Sequence, residues 1–459
     1  MANNPNRLSF EVDPNLDDSL VTANAGLPLL LEMFRASGAG AKTDELLRHK
    51  KKALGLTPSE MIESVMMLWT SGGDRCEDLE RFRTDRALIE LIGHELPAPQ
   101  TARDFFETFH SDDALPIWEG EQCKVYAESR RLDALSCVNR VILEHVQNRK
   151  PETTATIDVD AVVIECDRNE AEWTYKGARG YQPVVCHWAE QDLVLTDEFR
   201  DGNVPAGTGN LRVIRKAIAQ LPGWVVKRRL RGDSACYEND VMEFLETESI
   251  EYAISADMTR GLQEEIQRLD ESCWKTEREE GDCLRQYAEV PFVAATRGNA
   301  AKTDECPPRR YLVIRIVKKQ GYFFADNTDR RHFAVVTNRE GDALELIKWH
   351  RLKAGTIEHV HHVTVNELAG GVIPSKKFGA KAAWFRANTI LYNLLSALKR
   401  LTLPEEYRTA RPKRLRFIIF NTVGRVVRHA RETLLRFAYE LTQRIFDDAR
   451  LRLHCKLAT

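Results

Sequence analysis

Apolar and polar residues alternate in the middle of the chain with the two-residue period of a β-strand. Residues 156–164 (TIDVDAVVI) place Ile157 and Val159 on one face, and Asp158 and Asp160 together on the other. This strand therefore carries two carboxylates that project in the same direction. The alternation makes both of them candidates for chemistry and does not choose between them.

A second stretch, residues 225–237 (VVKRRLRGDSACY), predicts a strand that ends at Asp233. Small residues then favour a turn, and a helix is expected to begin at Glu238. Open α/β sheets bind their ligands in the crevice outside the carboxyl ends of the strands. Asp233 therefore marks a candidate functional site.

The elements around these two strands predict the fold class. They are strands at 156–164, 180–189 and 193–199, a helix at 210–221, the strand before Asp233, a helix at 238–246 and a strand at 251–256. Three antiparallel strands, followed by two parallel strands that helices separate, is the ribonuclease H-like order. We therefore expect an α/β fold with a ribonuclease H-like mixed sheet.

The pattern before this sheet is helical, from residue 20 to about residue 150. Thr57 and Glu60 form a predicted capping box, and the helix that follows, Met61–Trp69, is apolar almost all round. A long helix is predicted at 117–147. Several short helices could include a helix-turn-helix, and an ordinary helical bundle fits the pattern about as well.

The rest of the chain completes the predicted domain organisation. We expect a disordered N-terminus at 1–19, an all-helical domain at 20–150, a strand-and-helix domain at 151–258 and 346–403, a strand-rich insertion at 259–345 and a basic helical region at 404–459. The insertion contains strand-like runs at 310–318 and 332–338. Two later helices, predicted at 380–401 and 425–437, offer apolar faces that a second copy of the chain could cover.

Composition narrows the class of protein. The chain has 459 residues, 43% hydrophobic and 29% charged, which is typical of a soluble protein with two or three domains. It has no run of eighteen apolar residues and no basic, apolar leader, so we expect a cytoplasmic protein without a membrane span. The ten cysteines form no CxxC pair, which argues against a zinc site.

Charge is informative only locally, because the net charge is −3. Residues 401–459 contain thirteen Lys or Arg and six Asp or Glu. A second basic run, beside Asp233, contains Lys227, Arg228, Arg229 and Arg231. An isolated basic run is usually a solvated surface, but cations next to a carboxylate site favour an anionic partner such as DNA.

A third carboxylate, Glu358, lies on a predicted helix after the insertion. In order and element type, Asp160, Asp233 and Glu358 fit the three carboxylates by which ribonuclease H-like nucleases hold two divalent ions, Mg²⁺ or Mn²⁺. Taken singly, each of these carboxylates is more often a surface residue or a helix cap. The sequence context of each one therefore decides its interpretation.

Those contexts resemble the DDE transposases of bacterial insertion sequences, in the branch with a strand-rich insertion before the Glu. The matching segments are TIDVDAVVIE, YKGARGYQPVVCHWAEQDLVLTDEFRDGNVPAG, LRGDSACY, TIEHVHHVTVNELAGGVIP and AAWFRANTILYNLLSALKRL, with GLPLLLEMF near the start and RLRFIIFNTVGRVVRHAR near the end. They occur in family order and span nearly the whole chain.

The resemblance implies that Asp160, Asp233 and Glu358, spaced 73 and 125 residues apart, are the catalytic and metal-binding triad. It favours Asp160 over Asp158, because the residues after Asp160 match the family better. It also implies that residues 20–150 form a DNA-binding and dimerisation domain and that residues 151–258 and 346–403 form a catalytic domain. The protein would then be a transposase that binds the terminal inverted repeats of its element. Such an enzyme cleaves the DNA ends with two Mg²⁺ or Mn²⁺ ions and joins the 3′-hydroxyls to target DNA.

Further implications concern partners and location. A homodimer on paired ends is expected, in a bacterial cytoplasm and at the nucleoid when bound to DNA. Two alternatives remain: a transposase-derived DNA-binding protein that does not cleave, and a metal-dependent DNA nuclease outside transposition.

The sequence departs from the family pattern at four positions, Val162, Arg351, Ala354 and Val365, where members commonly have Thr, Tyr, Arg and Lys. The DNA contacts we expect are Arg228, Arg229, Arg231, Arg351 and Lys353. The histidines at 359, 361 and 362 are expected to face solvent or DNA rather than zinc. Trp274 is either a platform for an extruded base or, more commonly for such a residue, part of the core.

Overall fold

The computed structural model of the chain describes residues 20–48, 55–120, 123–294, 307–319, 322–326, 328–429 and 432–455. The N-terminus predicted to be disordered, residues 1–19, lies outside these ranges. Among the described residues, no helix combines the length and the apolar character that crossing a membrane requires.

The N-terminal part is helical, as predicted, apart from short strands. Its elements are β1 (Val21–Thr22), α1 (Pro28–Ala36), α2 (Ala39–Leu47), α3 (Pro58–Ser71), α4 (Leu79–Arg83), α5 (Arg86–Ile92), α6 (Pro99–Glu107), β2 (Pro116–Glu119), β3 (Lys124–Tyr126) and α7 (Arg130–Arg149). The predicted capping box is present, since Thr57 accepts from the Glu60 amide and Glu60 accepts from the Thr57 amide.

The long helix predicted at 117–147 is wrong in its first third. β2 and β3 pair there as an antiparallel hairpin, and α7 begins only after Ser129, whose hydroxyl accepts from the Leu132 amide. Pro116 and Gly120 disfavour a helix in this stretch, and Ser129 supplies the cap that a helix start requires.

The central unit contains the predicted strands and helices. They are β4 (Thr154–Ala161), β5 (Ile164–Glu165), β6 (Glu172–Trp173), β7 (Arg179–Tyr181), β8 (Val184–Trp188), β9 (Leu193–Glu198), α8 (Asn210–Gln220), β10 (Lys227–Gly232), α9 (Asn239–Thr247) and β11 (Glu251–Ala256). The neighbours run β9-β8-β4-β10-β11, with β4, β10 and β11 mutually parallel. This topology is the ribonuclease H-like mixed sheet that the sequence predicted.

The insertion is rich in strands and extends this same sheet. It contains α10 (Arg260–Gln267), β12 (Lys275–Glu280), β13 (Cys283–Phe292), β14 (Arg309–Lys318) and β15 (Arg330–Thr337). β15 pairs antiparallel with β11, so the order β12-β13-β14-β15-β11 continues into the central strands and gives nine strands among the described residues. The insertion is therefore anchored to the sheet by backbone hydrogen bonds.

Two long helices follow, α11 (Ala343–His362) and α12 (Phe378–Leu401). α11 continues into a π-helical turn over Val363–Glu367, a distortion that often occurs at functional sites. α12 is buried along nearly its whole length. Its Arg386 is buried and donates to Glu128 at 2.7 Å and to Asp197 at 3.1 Å, which ties this helix to the start of α7 and to β9.

The C-terminal region contains α13 (Pro412–Leu415), β16 (Gly424–His429), β17 (Glu432–Phe437) and α14 (Glu440–His454). The helix predicted at 425–437 is wrong, because β16 and β17 pair antiparallel over this stretch. β1 pairs with the outer edge of β16, so the beginning and the end of the described chain share one small sheet. Backbone pairing with distant residues thus overrides the local helical pattern.

One hydrophobic core runs from the N-terminal helices through the sheet to α14. One close backbone contact in it lies where Gly379, at the start of α12, meets the end of the N-terminal helices. A Cβ atom on Gly379 would lie 2.4 Å from the His110 Cα and 2.5 Å from the Phe109 carbonyl oxygen. Only glycine fits this junction, so the start of α12 packs directly on the end of the N-terminal helices.

Candidate active site

The parallel pairing of β4 and β10 brings two of the predicted carboxylates together. Gly232 lies opposite Val159, so Asp160 and Asp233 each follow at the carboxyl end of their strands. The two carboxyl groups are close enough to interact by a hydrogen bond and by charge. Asp233 also accepts from the Ala235 amide at 3.1 Å, which fixes its side chain at the start of the next turn.

Electrostatics distinguishes the two members of this pair. Burial raises the pKa of Asp233, and the neighbouring Asp160 raises it further against the opposing effect of Lys353. Burial acts in the same direction on Asp160, but His361 and Lys353 outweigh it and hold the pKa of Asp160 below its usual value. Two like charges that share a buried space bind a cation or a proton strongly.

Lys353 is the cation that the structure places there. It lies on α11, where its Nζ is 3.4 Å from Asp160 Oδ1 and its side chain is 11% exposed. One turn earlier, His350 Nε2 donates to the Gly232 carbonyl oxygen at 3.0 Å and joins the helix to the end of β10. Burial lowers the pKa of His350 to about 4, so this imidazole is neutral at pH 7.

Asp158 has a different role from Asp160. It is fully buried, and Arg231, directly opposite on β10, donates to both of its carboxylate oxygens at 2.6 and 2.7 Å. The Thr356 hydroxyl of α11 donates to the same carboxylate. Because its oxygens already have partners, Asp158 holds α11 against the sheet, and Asp160 is the carboxylate of this strand that faces Asp233.

The structure does not bring Glu358 into the same group. It lies on α11 with an exposed side chain, and no set of three His, Cys, Asp or Glu residues in the described part of the chain is arranged to hold a metal. Asp160 and Asp233 thus form a two-carboxylate centre. Glu358 is on the helix that covers this centre, five residues after Lys353.

His361 is the residue that sequence reasoning missed. It was expected to face solvent or DNA, yet it is 8% exposed and its Nε2 lies 3.6 Å from Asp160 Oδ2. The available signal was helical spacing. Lys353, Ile357 and His361 are four residues apart, so they lie on one face of α11, and both polar members of this row meet Asp160.

The cations proposed as DNA contacts are largely paired within the chain. Arg228 donates to the Glu248 carbonyl oxygen at 2.8 Å, and Arg229 donates to Glu251 at 2.8 Å. Arg231 is buried with Asp158, as described above. Its charge is neutralised inside the sheet, and we assign it a structural role rather than a contact with DNA.

Two other candidates belong to the insertion and the covering helix. Arg351 pairs with Glu277 of β12 and is partly exposed. Trp274 is 8% exposed and the Arg315 guanidinium lies 4.2 Å from its ring centre, so Trp274 is a core residue and not an open platform for a base.

Comparison with known proteins gives both sequence and structural matches. The model of the family described as transposase DDE domain group 1 matches residues 8–455. No curated protein sequence matches the chain. Among solved structures, a piggyBac transposase synaptic complex with hairpin DNA is similar at 9% identity and a TM-score of 0.44, over 93% of this chain and 82% of that chain.

Two Mos1 structures match a smaller part of the chain. The Mos1 mariner paired-end complex with Mn has 13% identity and a TM-score of 0.17, over 48% of this chain and 65% of that one. The Mos1 paired-end complex with the left transposon end has 14% identity and a TM-score of 0.16, over 45% and 61%.

Proposed function

The chain belongs to the transposase DDE domain group 1 family, and we propose that it moves an insertion sequence. It binds the terminal inverted repeats of that element, cleaves the DNA ends by metal-dependent hydrolysis and joins the freed 3′-hydroxyls to target DNA. Membership of the family implies dependence on a divalent metal. The assignment to an insertion sequence rests on the segments that resemble bacterial members.

One observation carries the proposal. Asp160 and Asp233 come from adjacent parallel strands and face each other at the carboxyl edge of the sheet, where ligands bind in open α/β folds. Two partly buried carboxylates in contact repel each other unless a cation lies between them. A purely structural role would not require this arrangement, because Asp158 on the same strand already anchors the helix.

The donor set fits Mg²⁺ or Mn²⁺, because carboxylate oxygens are the ligands that hard divalent ions prefer. We assign Asp160 and Asp233 as metal ligands and Glu358, from the covering helix, as the third catalytic carboxylate for two ions. Bound ions of this kind stabilise the attacking and leaving oxygens of a phosphoryl displacement. The chain itself positions the carboxylates through the β4–β10 pairing and through the contacts of α11.

Lys353 and Arg351 are the cations we assign to DNA on this side of the molecule. Lys353 Nζ lies 3.4 Å from Asp160 Oδ1, close enough to the centre to contact a scissile phosphate. Arg351, on the same helix, is anchored by its hydrogen bond to Glu277 of β12. Arg228 and Arg229 lie near the amino end of β10 and are partly exposed. They remain candidates for contacts with the DNA backbone that flanks the cleavage site.

Cutting and joining involve both ends of an element, whereas one carboxylate centre performs one displacement at a time. We therefore propose that the active species is a homodimer or larger assembly on paired ends. The exposed surface of the N-terminal helices supplies the proposed sequence-specific contacts.

The decisive experiment incubates purified full-length protein with labelled duplexes from the DNA that flanks its own coding sequence, with Mg²⁺ or Mn²⁺. We expect strand breaks at discrete positions that leave 3′-hydroxyls, followed by joining to a plasmid target. Asp233→Asn should abolish both reactions and retain binding to the ends.

Other outcomes select the alternatives. Specific binding without cleavage in either metal would identify a DNA-binding protein that has lost its chemistry. Cleavage at random positions without joining would identify a nuclease. Cleavage by Asp233→Asn at the normal rate would overturn the assignment of the site.

A further inference from the structure

We propose that the outer edge of β17 is a contact between two copies of this chain, in which the two β17 strands pair antiparallel about a twofold axis. The inference deepens the proposed function and rests on it for the homodimer that this contact would build. The occupant is a second copy of the chain, because β17 is complementary to itself in charge, in apolar contact and in backbone hydrogen bonding.

The backbone of β17 leaves one set of hydrogen-bonding groups unused. The Ala438 amide donates to the Val423 carbonyl oxygen at 3.0 Å, and the β16–β17 register makes every second pair from there a hydrogen-bonded one. Leu434 therefore directs its N–H and C=O groups towards β16, whereas Thr433 and Leu435 direct theirs outwards. In the described part of the chain, no strand pairs with that outer edge.

The outer edge of β17 lacks the features that usually prevent pairing with another strand. Natural sheets protect such edges with a proline, a β-bulge or charges that repel a second strand. β17 has the sequence ETLLRF, without proline, and its register with β16 runs without a shift. Leu434, in the middle of the strand, is 37% exposed. An edge of this kind is a ready template for β-strand addition.

β17 is complementary to itself when Leu434 lies opposite the partner's Leu434. This register places Glu432 opposite the partner's Arg436, and the twofold axis repeats the pair at the other end of the strand. It also brings the outward backbone groups of Thr433 to those of the partner's Leu435, as an antiparallel ladder requires. Opposite charges and apolar side chains that face each other across strands stabilise a sheet.

The charges on this face of the hairpin have no partner within the described residues. Arg436 lies directly opposite Arg425 on β16, and both are exposed. Neither of them forms an ion pair or a side-chain hydrogen bond there, and the same holds for Glu432. By contrast, Arg428 on the other face of β16 pairs with Glu90 at 2.8 Å. Because like charges directly opposite each other destabilise a sheet, a carboxylate supplied by a second copy stabilises this one.

The alternative occupant of this region is DNA, whose phosphates Arg425 and Arg436 could contact. Phosphate binding would use the two arginines and would leave the outward backbone groups, Leu434 and Glu432 without a role. The second copy accounts for all of them. One pair of six-residue strands is small beside the interfaces of stable dimers, so we expect a weak dimer that forms at high protein concentration or on paired DNA ends.

The first test places a cysteine at the twofold axis. In the proposed register Leu434 and the partner's Leu434 are a non-hydrogen-bonded pair with Cα atoms about 4.5 Å apart, a separation that a disulfide spans. Leu434→Cys should therefore give a covalent dimer on mild oxidation, with or without DNA from the flanks of the coding sequence.

Thr433→Cys is the matched control, because Thr433 is exposed on the same strand but lies opposite the partner's Leu435. The unaltered protein, which has exposed cysteines elsewhere, gives the background. If Leu434→Cys forms no more covalent dimer than Thr433→Cys under either condition, the proposed pairing is wrong.

The second test reverses the charges in the full-length protein and measures the dimer dissociation constant by sedimentation equilibrium without DNA. Glu432→Arg and Arg436→Glu should each weaken the dimer by about tenfold, because like charges then face each other at both ends of the strand pair. The double variant should regain the affinity of the unaltered protein. Arg425→Glu, on the neighbouring strand and away from the edge, should leave the dimer unchanged.

The outcomes separate this inference from the proposed function. A dimer that neither single reversal weakens assembles through another surface, which overturns the inference and leaves the proposed function intact. A protein that stays monomeric alone and on paired ends contradicts the homodimer of the proposed function as well. If Arg425→Glu and Arg436→Glu weaken DNA binding equally and do not affect the dimer, this face contacts DNA and the inference is overturned.

Discussion

Arg231 and Asp158 face each other across the parallel strands β10 and β4, and the guanidinium donates to both carboxylate oxygens at 2.6 and 2.7 Å. The pair is buried, and the same Arg231 also donates to the Trp349 carbonyl oxygen of α11 at 2.9 Å. These bonds join three elements of the site and explain why one of two equivalent-looking aspartates is unavailable for catalysis.

The first prediction concerns stability. Arg231→Met should lower the free energy of unfolding by about 3–5 kcal/mol, because it leaves the Asp158 charge buried without its partner. Arg229→Met, which removes a partly exposed ion pair on the same strand, should cost about 1 kcal/mol or less. Urea unfolding measures both. Equal effects of the two substitutions would contradict the structural role of Arg231.

The second prediction separates the two aspartates of β4. Asp160→Asn should abolish metal-dependent cleavage, and the stability lost with its contacts to Lys353 and His361 should be partly offset by relief of the repulsion from Asp233. Asp158→Asn should lower the unfolding midpoint, because it weakens the bonds from Arg231 and Thr356. Cleavage rates and thermal unfolding of both variants provide the measurement. A fully active Asp160→Asn variant would exclude Asp160 as a ligand.

The third prediction concerns Lys353, which neutralises the carboxylate pair. Lys353→Met should raise the affinity for Mn²⁺ by about tenfold, because an ammonium group no longer repels the ion. The same substitution should slow cleavage, since a proposed phosphate contact is lost. Lys348→Met, an exposed lysine of the same helix, is the control. If both lysine variants bind Mn²⁺ equally, Lys353 does not compete with the metal.

The fourth prediction concerns how the stability of the fold depends on pH through Glu128. Burial raises the pKa of Glu128, but Arg386 and Lys216 outweigh this effect and lower it from 4.5 to about 2. The stabilisation is therefore complete above pH 4.5, at about 3 kcal/mol, and is lost as the pH falls from 4.5 towards 2.

Glu128→Gln should consequently destabilise the protein strongly at pH 7 and by less than half as much at pH 3. Urea unfolding at both values checks the expectation. Glu144→Gln, on the exposed face of α7, should have a small effect at either pH. A Glu128→Gln penalty that does not change between pH 7 and pH 3 would contradict the predicted linkage.

The sequence predicted those elements whose local pattern agrees with their final environment. The alternation at residues 156–164 and the break after Gly232 located β4 and β10, and their order identified the sheet. The stretch 425–437 was predicted as a helix because its apolar residues also fit a helical face. It forms a hairpin in which β16 pairs with β17 and with β1, four hundred residues away in sequence, and no local pattern reveals such a partner.

The site was predictable to a similar degree. The strand pattern made Asp158, Asp160 and Asp233 candidates and the family resemblance favoured Asp160 over Asp158, whereas the pairing of Asp158 with Arg231 depends on strand register. The burial of His361 depends on how α11 is rotated against the sheet, which Thr356 and His350 fix through their contacts with Asp158 and Gly232. These are tertiary properties, so a sequence that shows three histidines in four positions gives no indication of which one points inward.

The junction at Gly379 bears on the distance between the N-terminal helices, which we propose to read DNA, and the carboxylate pair. Because Gly379 of α12 meets the backbone at Phe109 and His110 without room for a side chain, the end of the N-terminal helices is packed tightly against the start of α12. If the N-terminal helices read the DNA sequence, as we propose, this contact favours one distance between that sequence and the bond to be cut. Duplex DNA turns once in about 10 base pairs. Inserting five base pairs between the bound sequence and the bond to be cut would rotate that bond to the opposite side of the duplex. Inserting ten base pairs would restore the rotation but would still move the bond out of reach. Under the proposed function, each element end would therefore need one spacing between the sequence that is bound and the bond that is cut.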